Sequence, residues 1–339
     1  MTVLQSVTSV TIGDPAAFVA YWAERADEDD FGLTRPAPGR LEAAWSLGRA
    51  RIELEGPAAR IAVESGDIGG LVTMRGLVAW YLGRFDLVLA EPDWSGETLA
   101  GEMPPNFHFA EVAEMRALNP FYHRMVLTGD MTPFTKDGMH FRMYRQRPGV
   151  TEPRWPRMSG RGTVDWPSGP DAPFNPAYTA RHVDAEAGVM FVDIYRHEGS
   201  PTCDWCLSRP VGERVGLAGP GSGWLPQEQT LLLAGDETAV PAILRMLEMA
   251  RPDQRGTALL VAPDGRAVQE VRTASAIEAR WLIRGRDEGL VEAAMRLRGP
   301  EGETHHWFAA SQAEARAMRR HYRQELGLAR EHMYCAAYW

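Results

Sequence analysis

Along the first third of the chain, apolar residues recur with two periods. Asp14 followed by Pro15 has the form of a helix N-cap and first turn. Phe18, Tyr21, Trp22 and Ala26 then fall at i, i+3, i+4 and i+8, which is one face of a helix. Residues 6–12 read as a strand ahead of it. Residues 41–47, 49–54 and 59–63 read as strands behind it, and 71–82 as a second amphipathic helix. Residues 1–100 are therefore expected to form a small α+β domain. Its first 95 residues hold no His and no Cys and show no catalytic constellation.

From about residue 106 the pattern becomes short apolar runs cut by Gly and Pro: 125–127, 140–145, 188–194 and 214–217. That suits a small antiparallel β-barrel over 106–225. Residues 151–176, rich in Pro, Gly and Trp, are too long for a hairpin loop and read as a flap or a disordered excursion. Over 226–339 strands alternate with helices, as in a doubly wound α/β domain with a parallel sheet. The strands are 230–234, 256–261, 279–283 and 305–310. A helix follows Gly235-Asp-Glu-Thr238 and another covers 288–297. Ser311-Gln-Ala-Glu314 is a capping box, opening a helix that buries Ala315, Met318, Tyr322 and Leu326 and stops at Gly327. A barrel followed by such a domain suits two ligands in the crevice at the carboxyl ends of the parallel strands.

Composition and charge narrow the function. With 45% hydrophobic and 24% charged residues the chain is of the globular class. Its net charge of −9 argues against nucleic acid as partner. No apolar run approaches the ~20 residues that span a bilayer, and no secretory leader is evident, so the cytoplasm is the expected compartment. Three cysteines, Cys203, Cys206 and Cys335, are too few for a disulfide scaffold. Oligomeric state is left open.

Three stretches in order carry a resemblance. They are Leu118-Asn-Pro-Phe-Tyr-His-Arg-Met-Val-Leu-Thr-Gly-Asp130, Leu231-Leu-Leu-Ala-Gly-Asp-Glu-Thr-Ala-Val-Pro-Ala-Ile243, and a tail of Trp307-Phe-Ala-Ala310, Ala317-Met-Arg-Arg-His-Tyr-Arg323, Gly327-Leu-Ala-Arg330 and Tyr338-Trp339. Residues 106–339 resemble the siderophore-interacting proteins, a branch of the ferredoxin-reductase-like flavoproteins. Residues 5–95 more loosely resemble a small domain of unknown function associated with them. The resemblance implies FAD on the barrel, NADPH or NADH on the second domain, and electrons passing to iron(III) in a siderophore, the protein positioning and tuning the cofactor.

It also implies residues. The family's Arg-x-Tyr-Thr-x-Arg reads Pro176-Ala-Tyr-Thr-Ala-Arg181 here. Tyr178 would flank the isoalloxazine, Thr179 would bond its edge, and Arg181 would supply charge; the first Arg is replaced by Pro176. Asp193 and His197 keep the family spacing, and Ser200, Pro201, Thr202, Cys203 and Trp205 form the following loop, where Asp204 adds negative charge. Gly219 and Gly221 keep the first glycine loop. Gly235, Asp236, Glu237 and Thr238 would form the nicotinamide side, and Tyr338-Trp339 would cover the flavin face or pack as an edge strand. Ala310-Ser311 stands where the family has Gly-Glu.

Plainer readings stand beside these. Gly219-Pro-Gly-Ser-Gly223 is a phosphate nest or an ordinary turn. Asp236-Glu-Thr238 contacts a cofactor or caps a helix. Cys203-Asp-Trp-Cys206 has the spacing of a redox pair or of two small replacements. His305-His306, adjacent on a strand, point to opposite faces and make a poor metal site. Arg280, Arg284 and Arg286 around Trp281 recognise a phosphate or an anionic chelate, or form a solvated edge. The expected function is an NAD(P)H-dependent, FAD-linked reductase of a ferric siderophore or similar chelate. The alternative is the same scaffold redeployed as a biosynthetic enzyme or small-molecule binder with FAD binding weakened or lost.

Overall fold

The computed structural model describes residues 3–29, 31–88, 91–135, 138–221 and 223–339. The chain divides into two compact units, 1–107 with 146–174, and 108–145 with 175–339.

The first unit opens with β1 (Leu4–Thr11), α1 (Pro15–Glu28), β2 (Gly32–Ala37), β3 (Arg40–Trp45), β4 (Gly48–Glu55), β5 (Ala58–Ser65) and α2 (Ile68–Gly83). The strands form an antiparallel sheet in the order β1-β5-β4-β3-β2. Asp14 caps α1 by accepting from the Ala16 and Ala17 amides at 2.9 and 3.0 Å, and Asp67 caps α2. Val10, Leu41, Ile52, Ile61 and Val63 alternate onto one face and bury Phe18 and Trp22 of α1 with Leu71, Met74 and Val78 of α2. The other face carries paired charges, Arg49 with Glu64 and Arg51 with Glu42.

The second unit begins with β6 (Phe107–Asn119), β7 (Tyr122–Gly129) and β8 (His140–Tyr144). The chain then leaves it for a hairpin, β9 (Arg157–Met158) with β10 (Val164–Asp165), that belongs to the first unit. This excursion, expected inside the barrel domain as a flap or disordered, is ordered against residues 94–102. Met158 exchanges backbone bonds with Gly101 and Glu102, and the Trp94 amide donates to Arg161 O. Arg75 of α2, 2% exposed, secures it by donating to the carbonyls of Ser95, Glu97 and Gly162. A buried guanidinium meeting three carbonyls satisfies groups that would otherwise be orphaned.

Back in the second unit come β11 (Ala177–Thr179), β12 (His182–Asp184), β13 (Val189–Tyr195), α3 (Pro201–Leu207) and β14 (Arg214–Ala218). The barrel sheet runs β11-β8-β14-β6-β7-β13-β12. The segment between β11 and β12 is its seam. The Ala180 amide bonds Met139 O on one side and the Arg181 amide bonds Phe191 O on the other, so residues 179–182 close the barrel. Then follow β15 (Thr230–Gly235), α4 (Val240–Met249), β16 (Arg255–Ala262), β17 (Ala276–Ile283), α5 (Leu290–Met295), β18 (Thr304–Ala310), α6 (Gln312–Arg320) and β19 (Met333–Ala337). All five strands are parallel in the order β17-β16-β15-β18-β19. The order reverses between β15 and β18, a switch point of the kind that binds ligands in α/β sheets. Ser311 and Glu314 form the expected capping box on α6, after which a π-helical turn, His321–Glu325, leads to Gly327 at φ +64°.

Candidate functional site

The flavin-type motif occupies the barrel seam. Tyr178 lies half-buried on β11, opposite Phe141 of β8. Burial pushes its pKa up to about 12, against a smaller lowering from the Thr202 side chain beside its hydroxyl. Thr179 is buried, and its Oγ1 lies 3.2 Å from His140 Nδ1. Arg181 is paired within the protein. Its Nη1 and Nη2 donate to Glu248 of α4 at 2.6 and 2.7 Å, and its Nε lies 3.9 Å from Asp193. Asp193, fully buried at its side chain, also accepts two bonds of 2.7 Å from Arg124. The Arg181 charge is thus spent inside the protein. Arg124, Arg181 and Glu248 line a cavity of about 500 Å³ with Arg272 and Glu270. Glu248 sits at the far end of α4 from Asp236, a helix of ten residues and so roughly 15 Å long.

The segment 200–206, expected as a loop, is the start of α3. Ser200 caps it through a bond from the Cys203 amide and Pro201 takes the first position. Thr202, Cys203, Trp205 and Cys206 are buried, while Asp204 faces solvent in the first turn, where a negative charge suits the helix dipole. Cys203 and Cys206 are free thiols, and burial pushes Cys206 up to about 12, so it is an inert apolar filler. Arg145 closes this corner. Its guanidinium is buried, donates to Pro201 O at 3.1 Å and lies 5.0 Å from the Trp205 ring centre. Sequence reasoning missed this residue, because only the fold brings the end of β8 to the start of α3.

At the switch point Gly235 permits the close approach of α4, since a Cβ there would lie 2.6 Å from that of Ala239. Asp236 is fully buried. Its Oδ1 accepts from the Thr238 amide and hydroxyl, and its Oδ2 accepts from Trp339 Nε1 at 2.7 Å. Burial, only partly offset by these bonds, raises its pKa. Arg284 clamps Glu237 with two bonds, and the Tyr122 hydroxyl donates to Glu237 O at 2.6 Å. Residues 338–339 continue β19 across the same edge, with the Tyr338 amide donating to Ala310 O and the Gln312 amide to Trp339 O. Tyr338 OH meets His140 Nε2 at 2.8 Å. A hydrogen-bonded line therefore runs from Thr179 through His140 to Tyr338, whose neighbour Trp339 reaches Asp236.

The remaining candidates fall elsewhere. His197 is exposed and its Nδ1 contacts the adjacent Glu198 O. The Gly221 amide is bonded to His140 O, and a Cβ on Gly219 would lie 2.9 Å from that of Phe141, so this loop packs on β8. Arg280 and Arg286 pair with Glu288 and Asp287. His305 bonds Glu228 at 3.2 Å, while His306 packs edge-on to Tyr322 on the opposite face. Among the described residues no group of three or more His, Cys, Asp and Glu side chains is arranged to hold a metal.

An antiparallel barrel joined to a parallel α/β sheet, with the motif at the seam, defines a ferredoxin-reductase-like fold. Comparison with known proteins agrees. Residues 111–224 match the family model described as siderophore-interacting FAD-binding domain, and residues 228–339 match that described as siderophore-interacting protein. Ferric vibriobactin reductase ViuB of Vibrio cholerae is 30% identical over 229 residues, covering 64% of this chain and 83% of that protein. The crystal structure of a siderophore utilization protein from T. fusca aligns at TM-score 0.61 with 26% identity, covering 70% of this chain and 95% of that one. The siderophore-interacting protein SipS of Aeromonas hydrophila aligns at 0.59 with 25% identity, covering 69% and 91%. The chain belongs to the siderophore-interacting protein family and carries its FAD-binding domain.

The side chains present fit that cofactor. Tyr178 offers a ring. Thr179 offers a hydroxyl with bonding capacity beyond its contact to His140. Arg145 places a guanidinium at the start of α3, next to the strand where Pro176 has displaced the motif's first arginine. Among the described residues no helix is long and apolar enough to cross a membrane.

Proposed function

We propose that this flavin-linked oxidoreductase uses NADPH or NADH to reduce iron(III) held by a siderophore or a similar chelate, with release of iron(II). One observation carries the reading: Tyr178 and Thr179 at the barrel seam are joined through His140 and Tyr338 to the switch point of the α/β sheet. That hydrogen-bonded line supports a reading in which flavin side and nicotinamide side share one crevice. The similarity to ferric vibriobactin reductase supports the substrate class.

Bound FAD supplies a two-electron acceptor that gives electrons up singly. Overall, one NAD(P)H delivers two electrons to two ferric chelates and one proton is released. The protein's own residues bind and orient. Tyr178, braced by Thr202, presents its ring, and Thr179 addresses the ring edge. Arg145, buried beside Pro201 and Trp205, would hold the start of α3 on the side where the arginine at 176 is missing and a contact to the pyrophosphate is lost. A charge-assisted contact of that kind contributes about 1.5–3 kcal/mol, roughly ten- to a hundredfold in affinity. Asp236 and Glu237, bound by Trp339, Thr238 and Arg284, shape the nicotinamide side.

Titration of the purified protein with FAD tests the reading. Quenching of flavin fluorescence with a structured absorption band is expected. A protein that stays colourless and takes up no added FAD would remove the reductase and leave the redeployed scaffold, whose motivation is Pro176, Ala310 and Ser311.

A further inference from the structure

His140 was not singled out by its sequence context, yet it links the barrel seam to Tyr338 beside the parallel sheet. Both of its ring nitrogens meet hydroxyls, Nδ1 the Thr179 Oγ1 at 3.2 Å and Nε2 the Tyr338 OH at 2.8 Å. The backbone is held by the Gly221 amide, which donates to His140 O at 2.7 Å. The ring is pinned by Gly223, where an added Cβ would lie 2.4 Å from His140 Cδ2. Tyr338 stands edge-on to it, at an interplanar angle of 84°. Burial, reinforced by Arg245 of α4, lowers the imidazole pKa to about 4, so it is neutral near pH 7.

A neutral imidazole has one donor and one acceptor nitrogen, and a hydroxyl can do either. Two arrangements are therefore available. In one, Tyr338 donates to Nε2, Nδ1–H donates to Thr179, and the Thr179 O–H is free to donate outward. In the other, Nε2–H donates to Tyr338 and Thr179 donates to Nδ1, so Thr179 can only accept from outside. The edge nitrogen of an oxidised flavin is an acceptor and that of a reduced flavin is an N–H donor. The two arrangements match the two redox states, and in the second the buried Tyr338 O–H, no longer donating to Nε2, turns to the Tyr334 side chain beside it.

We infer that His140 is a positioning residue in a two-way hydrogen-bond relay, Thr179–His140–Tyr338, that presents the Thr179 hydroxyl as donor to oxidised and as acceptor to reduced flavin. This rests on the proposed function, in which Thr179 addresses the flavin edge. It couples residues 338–339, through Tyr338, to the redox balance of the cofactor.

Tyr338→Phe tests it with the loss of one oxygen. Nε2 then faces an apolar ring, and a buried N–H without a partner is rarer than a bare acceptor. The Nδ1–H arrangement dominates, Thr179 is fixed as an outward donor, and oxidised FAD is favoured. The expected result is a dissociation constant for oxidised FAD within about threefold of wild type. The ratio of oxidised to reduced affinity should rise about tenfold, read by dye equilibration as a midpoint about 30 mV more negative for a two-electron couple. In a His140→Phe background the same change should produce no further shift. A Tyr338→Phe midpoint that is unchanged or more positive overturns the relay while leaving the flavin reading intact. So does an undiminished shift in the His140→Phe background. If His140→Phe fails to fold by circular dichroism, the single Tyr338→Phe measurement decides. Wild-type protein that binds no FAD overturns the proposed function and the relay with it.

Discussion

Replacing Arg181 by Met separates two roles that one guanidinium can hold. By the family motif it supplies charge to the cofactor; in the structure its charge is consumed by Glu248 in a two-bond contact and by Asp193 at 3.9 Å. Breaking a buried pair from one side costs about 3–5 kcal/mol, because the remaining charge is stranded. Glu248 retains 28% of its side-chain exposure, so solvent screens part of the loss, and roughly 2–3 kcal/mol is expected. Glu248→Gln leaves Arg181 beside Asp193 and should cost less, about 1 kcal/mol. Urea unfolding of the single and double variants gives the coupling between them, and FAD titration of each gives the affinity. The structural account predicts reduced stability, positive coupling and a dissociation constant within about threefold of wild type. Full stability with FAD binding weakened ten- to a hundredfold would refute it and return Arg181 to the phosphate.

Three further outcomes follow from the same contacts. Arg75→Met strips donors from the carbonyls of Ser95, Glu97 and Gly162, so limited proteolysis within 146–174 should speed up at least tenfold while cleavage within 226–339 is unchanged. Pro176→Arg restores the motif's missing cation and should tighten FAD binding about tenfold; unchanged affinity would show that this position does not reach the phosphate. His140 and His306 are both lowered to about 4, mainly by burial, from an ordinary value of 6.5. Between those values the unfolded chain binds more protons than the folded one, so stability falls as pH drops from 6.5 towards 4. Melting temperatures taken at pH 7, 5.5 and 4.5 should fall accordingly, and His306→Phe should flatten the curve.

Much of the fold is written locally in the chain. Asp14-Pro15, the Ser311 capping box and the apolar run before Gly235 state their elements because caps and periodicity are short-range properties. Residues 32–37 gave no such signal. They form an edge strand with no fully buried side chain and with Pro36 inside it, so alternation is absent. The 151–176 stretch is Gly- and Pro-rich because it follows the irregular surface of residues 94–102 and not a ladder of its own. Its destination depends on Arg75, some eighty residues earlier. The motif positions Tyr178 and Thr179 were legible through family resemblance. Their supports, Arg145 and His140, were not, since a lone Arg or His on a strand acquires meaning only when the barrel closes and residues 338–339 arrive. Arg181 shows the converse. Its place in the motif was clear, but its partner Glu248 lies 67 residues away and belongs to α4 of the other half.

The central claim is that the crevice carries electrons from a reduced nicotinamide to chelated iron(III). Anaerobic mixing of FAD-loaded protein with NADPH or NADH, followed by a ferric siderophore and an iron(II)-trapping chromophore, measures it directly. The account predicts bleaching of the flavin band by at least one of the two nicotinamides, then its return as two iron(II) form per nicotinamide consumed. A flavin band that neither nicotinamide bleaches, or a bleached band that ferric chelates leave unchanged, would contradict it.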